Sequence, residues 1–293
     1  LFVSPLEYGN AKKNSSVRDI RVMDEKFYVA LQKMAGKRIG LNMEYASVNG
    51  LERLKKKIKG TMVDASPLLR ELRMVKRRGE IEKIEKACKI TDKVYLDVFR
   101  RARSFRTELE MKNFIEERMK QYGVKPSFDV IVASGKNSSC PHHVSDATQL
   151  KGMTVIDMGV KIDEYCSDLT RTIYYGKPTK KELEAYNLVK SVQERCVSMA
   201  KDGESYSVIH HYARQKIGKE MIHSVGHGLG LDVHEHPFVT KDRKDALKEG
   251  MVITIEPGIY IDGKFGIRIE DDLVVGKGKS RSLSRIGKEL LVV

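Results

Sequence analysis

The sequence predicts a mixed α/β (α+β) protein, and three observations carry that expectation. Apolar residues recur at helical spacing after about residue 68, two later segments alternate in the manner of β-hairpins, and further helical stretches separate those segments. The resulting order is helices, hairpin, helices, hairpin. It points to two similar halves, although no sequence repeat accompanies it.

Residues 1–68 come first in that organisation. They read as short mixed strands and helices ending near Val63-Asp64-Ala65-Ser66-Pro67, where proline and small polar residues predict a linker. The expected domains are therefore 1–68 and 69–293. Within the first, Arg53, Lys55, Lys56, Lys57 and Lys59 interleave with Leu51, Leu54 and Ile58, the pattern of the wet face of an amphipathic helix. Beyond the boundary, Ile81, Ile84, Cys88, Thr91, Tyr95 and Val98 form one stripe of a long helix, against which Gly79 is a mild objection. Two more helices start at Thr107 and Thr179, each followed three residues later by glutamate (Glu110, Glu182), the spacing of a capping box. After each comes a strand-turn-strand segment, residues 154–160 with 165–174 and residues 252–260 with 265–273.

Composition narrows the class. The 293 residues are 41% hydrophobic and 32% charged, an ordinary balance for a folded, water-soluble chain. The longest apolar stretches, such as residues 251–255, are of strand length, far short of the roughly 20 residues of a membrane helix. Of the net charge of +14, much falls early, since residues 1–80 hold 18 Lys/Arg against 9 Asp/Glu. The excess thus lies away from the later motifs, and nucleic acid is not the expected partner. Cys88, Cys140, Cys166 and Cys196 show no CxxC spacing, so dispersed thiols and a cytoplasmic setting are expected. The chain opens on Leu1 with no secretory signal pattern, and its true start is expected upstream.

The chemistry lies in the hairpins. Asp157 (Val155-Ile156-Asp157-Met158-Gly159) and Asp168 (Cys166-Ser167-Asp168-Leu169) flank a short polar turn around Ile162 and Asp163. Antiparallel pairing about that turn places the two aspartates directly opposite on one face. Glu256 and Glu270 centre in the same way on Gly263 of Asp262-Gly263-Lys264. Four like charges in strand interiors resist burial unless a cation lies among them. His227, in His223-Ser224-Val225-Gly226-His227-Gly228, offers a neutral ligand, and its flanking glycines permit close backbone approach. Carboxylates with one imidazole suit Mn, Co, Fe or Zn, and four carboxylates suit two ions rather than one. The His223/His227 spacing lacks the glutamate of a zinc-protease helix.

At these residues the chain closely resembles the family that contains aminopeptidase P, prolidase, methionine aminopeptidase and the metal-free creatinase, over about residues 69–293. The resemblance implies the pita-bread fold, with a smaller, truncated creatinase-type N-terminal domain. It implies two divalent metal ions, manganese or cobalt first, on Asp157, Asp168, His227, Glu256 and Glu270, with Asp168 and Glu270 bridging. It also implies that Glu256 moves a proton, that His142 and His234 face the substrate carbonyl, and that His223 is a further active-site histidine. Arg268 resembles the arginine that accompanies the bridging glutamate in the proline-directed branch. Short proline-containing peptides are the implied substrates and a homodimer the implied assembly, with a methionine or broader aminopeptidase, and more remotely a non-catalytic binding protein, as rival readings. His143 reads as a partly exposed loop residue. One departure stands out: Phe238 occupies the position where dipeptide-cleaving relatives often carry arginine for the substrate carboxylate. Either preference moves to Xaa-Pro-Yaa peptides, or Lys241 or Arg243 supplies the charge.

Overall fold

Strands of two to four residues cannot bury a face alone, and in the N-terminal part each parallel pair is closed by a helical crossover. In the computed structural model, which describes residues 1–24, 26–239 and 245–293, this part is one unit, Leu1–Glu71. In it β1 (Phe2–Val3) crosses through α1 (Tyr8–Asn14) to the parallel β2 (Arg21–Val22). After α2 (Phe27–Met34), β3 (Arg38–Leu41) crosses through α3 (Val48–Lys57) to the parallel β4 (Thr61–Asp64). The basic run is a solvated helix face, as expected: Ile58 is buried and Leu51 and Leu54 half-buried, while Lys55, Lys56 and Lys57 are exposed. The expected linker is instead regular structure. Asp64 ends β4, its carboxylate accepts from Ser66 N at 2.8 Å, and Pro67 sits in the first turn of α4 (Ser66–Met74), where a missing N–H costs nothing.

The second unit, Leu72–Val293, follows the predicted alternation. It opens with α5 (Arg78–Arg101) and α6 (Glu108–Gln121), followed by β5 (Lys125–Pro126) and β6 (Ile131–Ser134). The first hairpin comprises β7 (Gly152–Met158), β8 (Val160–Ile162), β9 (Tyr165–Cys166) and β10 (Leu169–Tyr175). Next come α7 (Lys180–Met199) and α8 (Tyr206–Ile217), then β11 (His227–Gly228) and β12 (Glu235–Phe238). The second hairpin is β13 (Val252–Ile255), β14 (Gly258–Ile261), β15 (Phe265–Arg268) and β16 (Asp271–Val274), with β17 (Arg281–Ser282) paired to β16. Each half has its own core. Ala87, Val94, Tyr95, Met111 and Ile115 of α5 and α6 pack on Ile156, Leu169 and Ile173, whereas Tyr186, Val189, Ile209 and Ala213 of α7 and α8 pack on Ile253, Ile255 and Ile267.

The helix starts differ in detail. Thr179 and Glu182 make a full reciprocal capping box, whereas Thr107 accepts from Glu110 N but the Glu110 carboxylate takes Arg106 N at 2.8 Å. Gly79 lies in the first turn of α5 rather than its interior, so its helical cost is small. Among the described residues no helix is long and apolar enough to cross a membrane. All four cysteines are free.

Register within the two hairpins decides where the carboxylates stand. In the second, Gly258 pairs with Arg268 and Ile255 with Asp271, one unbroken register that sets Glu256 across from Glu270 as predicted. The first is shifted. Asp163 and Glu164 take φ of 48° and 69° and form the two-residue turn, pairing Ile162 with Tyr165 and Asp157 with Thr170. Asp168 is therefore a diagonal, not a direct, neighbour of Asp157. A turn centred on Ile162 and Asp163 would force a β-branched residue into the left-handed region, and the shift by one avoids that.

A buried clasp lies beneath both hairpins. Arg171, 2% exposed, donates to Asp271 Oδ1 at 2.8 Å and to the carbonyls of Thr170, Glu270, Ile286 and Gly287. Lys288 meets Asp271 at 2.6 Å, and although burial works against its charge, Asp271 is held below the usual carboxylate range by Arg171 and Lys288. Removing one partner of a buried ion pair leaves the other uncompensated, at about 3–5 kcal/mol. Because Lys288 remains, Arg171→Leu should lower stability by about 3 kcal/mol in urea unfolding; a loss under about 1 kcal/mol would show that the clasp is not cohesive.

Candidate metal centre

Both hairpins are interrupted where their carboxylates sit. The ladders break at Gly159 and at Ser167-Asp168 in the first and at Glu256-Pro257 and Ile269-Glu270 in the second, so these backbones leave the regular ladder there. Asp157 stays within β7, flanked by Ile131 of β6 and Thr170 of β10. Glycine makes the approach possible. A Cβ on Gly159 would lie 1.8 Å from Ser167 O, and one on Gly226 would lie 2.0 Å from Thr254 O, so the segment bearing His227 can lie against β13 only without a side chain there.

The result is convergence of the predicted set. Ligand atoms of Asp157, Asp168 and Glu270 lie within 4.8 Å of one another, as do those of His227, Glu256 and Glu270, and those of Asp168, His227 and His234. His227 Nδ1 donates to Gly228 O at 3.1 Å, so the lone pair of Nε2 faces Glu256 Oε1 at 3.3 Å and Asp168 Oδ2 at 3.7 Å. Acceptors thus confront acceptors. Asp157 Oδ1 and Glu270 Oε1 are buried with no hydrogen-bond partner among the described residues, and orphaned carboxylate oxygens within one cluster fit a divalent cation. The donor set, four carboxylates and one imidazole, suits a transition-metal dication.

Electrostatics agree. Burial, reinforced by the neighbouring carboxylates, pushes Asp168 and Glu270 well above the usual carboxylate range, and burial pushes Glu256 up to about 7 against the pull of Arg268. The histidines move the other way. Burial lowers His227 to about 3 and His223 to about 4, and it lowers His234, so these imidazoles are neutral at neutral pH.

The remaining predicted residues take distinct places. His142 and His234 are exposed and line the same cavity of about 440 Å3, and the His234 ring lies 4.3 Å from that of His227. His223 lines it as well, but its ring is engaged at both nitrogens: Nδ1 donates to Ser224 O at 2.7 Å and Nε2 accepts from Tyr260 Oη at 2.9 Å. Tyr260 in turn accepts from Arg268 Nη1 at 2.8 Å. Arg268 reaches Asp157 directly, at 2.5 Å, rather than the adjacent Glu270, which it meets only through the Thr170 hydroxyl. His143 is more than a loop residue. Its Nε2 lies 2.8 Å from the fully buried Glu108, which also accepts from Ser134 N and Asn137 Nδ2. Phe238 lines the cavity, while Lys241 and Arg243 lie outside the described residues.

Sequence reasoning missed Thr170, Tyr260, Asp272 and Glu108. Asp272 accepts Asp168 N at 2.9 Å and is pushed by burial up to about 8. Thr170 carried a signal, since it shares a strand face with Asp168 at period two; the others meet partners too distant in sequence to show one.

For metal-free protein the linkage has a definite sign. Glu256 titrates near 7 when folded against 4.5 for a free glutamate, so its protonated form favours folding; that contribution is complete below about 4.5 and is lost as pH rises to about 7. Asp168 and Glu270 shift in the same direction. The rise in Tm on adding Mn2+ to chelator-treated protein should therefore grow between about pH 5 and 8. A rise that is constant or shrinking over that range would contradict the placement of these carboxylates.

Comparison with known proteins agrees with this geometry. Residues 82–277 match metallopeptidase family M24, and residues 1–75 match the creatinase/prolidase N-terminal domain. An Xaa-Pro dipeptidase of Pyrococcus horikoshii is 38% identical over 302 aligned residues, covering 99% of this chain and 85% of that protein. An Xaa-Pro dipeptidase from Bacillus anthracis superposes with a TM-score of 0.92 at 30% identity, over 100% of this chain and 86% of that one. An X-Pro aminopeptidase from Thermotoga maritima does so with a TM-score of 0.90 at 32% identity, over 100% and 87%. The chain belongs to metallopeptidase family M24 and is a divalent-metal-dependent peptidase of the pita-bread fold with a creatinase-type N-terminal domain.

Proposed function

We propose that this chain hydrolyses the peptide bond preceding proline with two divalent ions. The observation that carries the two-ion reading is the overlap of the triads: Asp157, Asp168 and Glu270 form one, His227, Glu256 and Glu270 another, and Glu270 belongs to both. A carboxylate has two oxygens to share. The names of relatives similar over nearly the whole chain support proline as the residue after the scissile bond. Manganese or cobalt, a homodimer, a cytoplasmic setting and domains over 1–68 and 69–293 belong to the same reading.

In this reading Asp157, Asp168, His227, Glu256 and Glu270 hold the ions. When bound, such ions polarise the scissile carbonyl and lower the pKa of water toward neutrality. Glu256, 3.3 Å from His227 Nε2 and facing the cavity, takes the proton from the attacking water and delivers it to the proline nitrogen as the C–N bond breaks. His234 and His142, at the cavity surface, donate hydrogen bonds to the carbonyl oxygen as it gains charge. Arg268 acts through others. It fixes Asp157 and, through Tyr260, the ring of His223, so these three are positioning residues. The cavity of about 440 Å3 has room for a short peptide and little more.

The direct test is a panel of Xaa-Pro and Xaa-Pro-Yaa peptides with metal-stripped protein resupplied with Mn2+ or Co2+; no turnover with either ion rejects the reading. Asp168→Asn should abolish turnover and weaken metal binding, because a neutral amide is a poor bridge between cations. Full activity with two bound ions in that variant would refute the ligand assignment. His234→Ala should lower kcat about a hundredfold with metal content intact; loss of metal instead would exchange its role with that of His227.

A further inference from the structure

One cation in the cavity has no part in the chemistry above. Lys112 of α6 lines it with Phe128, Asp129, His143 and Val144. Two facts locate its side chain. Lys112 follows Glu108 by one helical turn and shares its face, and Glu108 holds His143. Lys112 therefore stands beside the loop that carries His142 and His143, both of which line the same cavity. It pairs with Glu116, 3.7 Å away on the same helix; the Lys112 side chain is 19% exposed and that of Glu116 41%. A loose pair of this kind contributes about twofold at most. Arg268, the other arginine or lysine of the lining among the described residues, is committed to Asp157, Thr170 and Tyr260, and Phe238 cannot pair with an anion.

We propose that Lys112 anchors the C-terminal carboxylate of an Xaa-Pro dipeptide. This deepens the Xaa-Pro reading and rests on it. A charge-assisted contact of that kind favours a free carboxylate over the corresponding amide by about tenfold to a hundredfold. Asp129 of the same lining opposes an anion, so neutralising it strengthens the preference.

The test is calorimetric binding of a reduced-bond Ala-Pro analogue and its C-terminal amide to the full metal-supplied chain, paired with Ala-Pro and Ala-Pro-Yaa turnover. The carboxylate form should bind at least about tenfold more tightly than the amide. Lys112→Gln should remove the preference, Lys112→Arg restore it and Asp129→Asn enlarge it, with the turnover effect falling on KM of the dipeptide. Parity of the two ligands in the parent, or a preference that survives Lys112→Gln, overturns the role of Lys112 while leaving Ala-Pro hydrolysis standing. Absence of binding by both ligands, together with no turnover of either peptide, rejects the Xaa-Pro reading and the anchoring role with it.

Discussion

Four carboxylates gathered in overlapping groups whose ligand atoms lie within 4.8 Å of one another repel, and several local features of the larger unit hold them there. Asp157 is restrained by Arg268, Glu270 by the Thr170 hydroxyl, and the backbone of Asp168 by Asp272. These contacts fix positions without neutralising the cluster. One guanidinium offsets a single charge, and the buried oxygens of Asp157 and Glu270 are left unpartnered. A protein free to choose would replace such a set by apolar residues. That the arrangement is built on strand interiors, with a neutral imidazole turned lone-pair inward, makes physical sense only if divalent cations complete it.

Precision comes from the layer below. Interrupted hairpins alone would let the carboxylates wander, because their carriers leave the ladder at the points where they converge. Arg171 counters this by gripping the carbonyls of Thr170 and Glu270 together, one from each hairpin, and by tying both to residues 286 and 287. Tyr95 of α5 ties the two long strands of the first hairpin, its hydroxyl lying 2.7 Å from Ile156 O and 2.8 Å from Leu169 O. The candidate ligands are thus oriented by backbone contacts of buried side chains outside the carboxylate cluster, the pattern by which supporting groups set metal affinity.

Legibility in the sequence followed the range of the interaction. Helix stripes, the Thr179 cap and the Glu256–Glu270 register are local, and Gly263 marks its turn unambiguously. The Asp157–Asp168 register failed by one step because the turn carries no glycine, and only the intolerance of Ile162 for the left-handed region disfavours the earlier centre. The convergence of four carboxylates and a glycine-flanked histidine was readable as a candidate site. Its supports were not: Arg268 meets Asp157 across 111 residues and Asp272 meets Asp168 across 104. No periodicity encodes such pairings; they arise when two halves built on similar hairpins face each other.

The same burial that gathers the acids also decides what the histidines can do. Protonated imidazoles beside these carboxylates would form ion pairs and collapse the opening needed for substrate. Desolvation prevents that by holding His223, His227 and His234 neutral, so each ring presents one donor and one acceptor with defined roles. His227 spends its donor on Gly228 O and keeps its acceptor for the metal; His223 spends both on Ser224 and Tyr260. His234, outermost of the three, keeps a donor available to the cavity. Positive charge at the floor must therefore come from bound ions, with Arg268 already engaged. In the proposed reading, bound ions would supply the positive charge that these residues lack, and His234, held neutral by burial, would stand beside them as a hydrogen-bond donor.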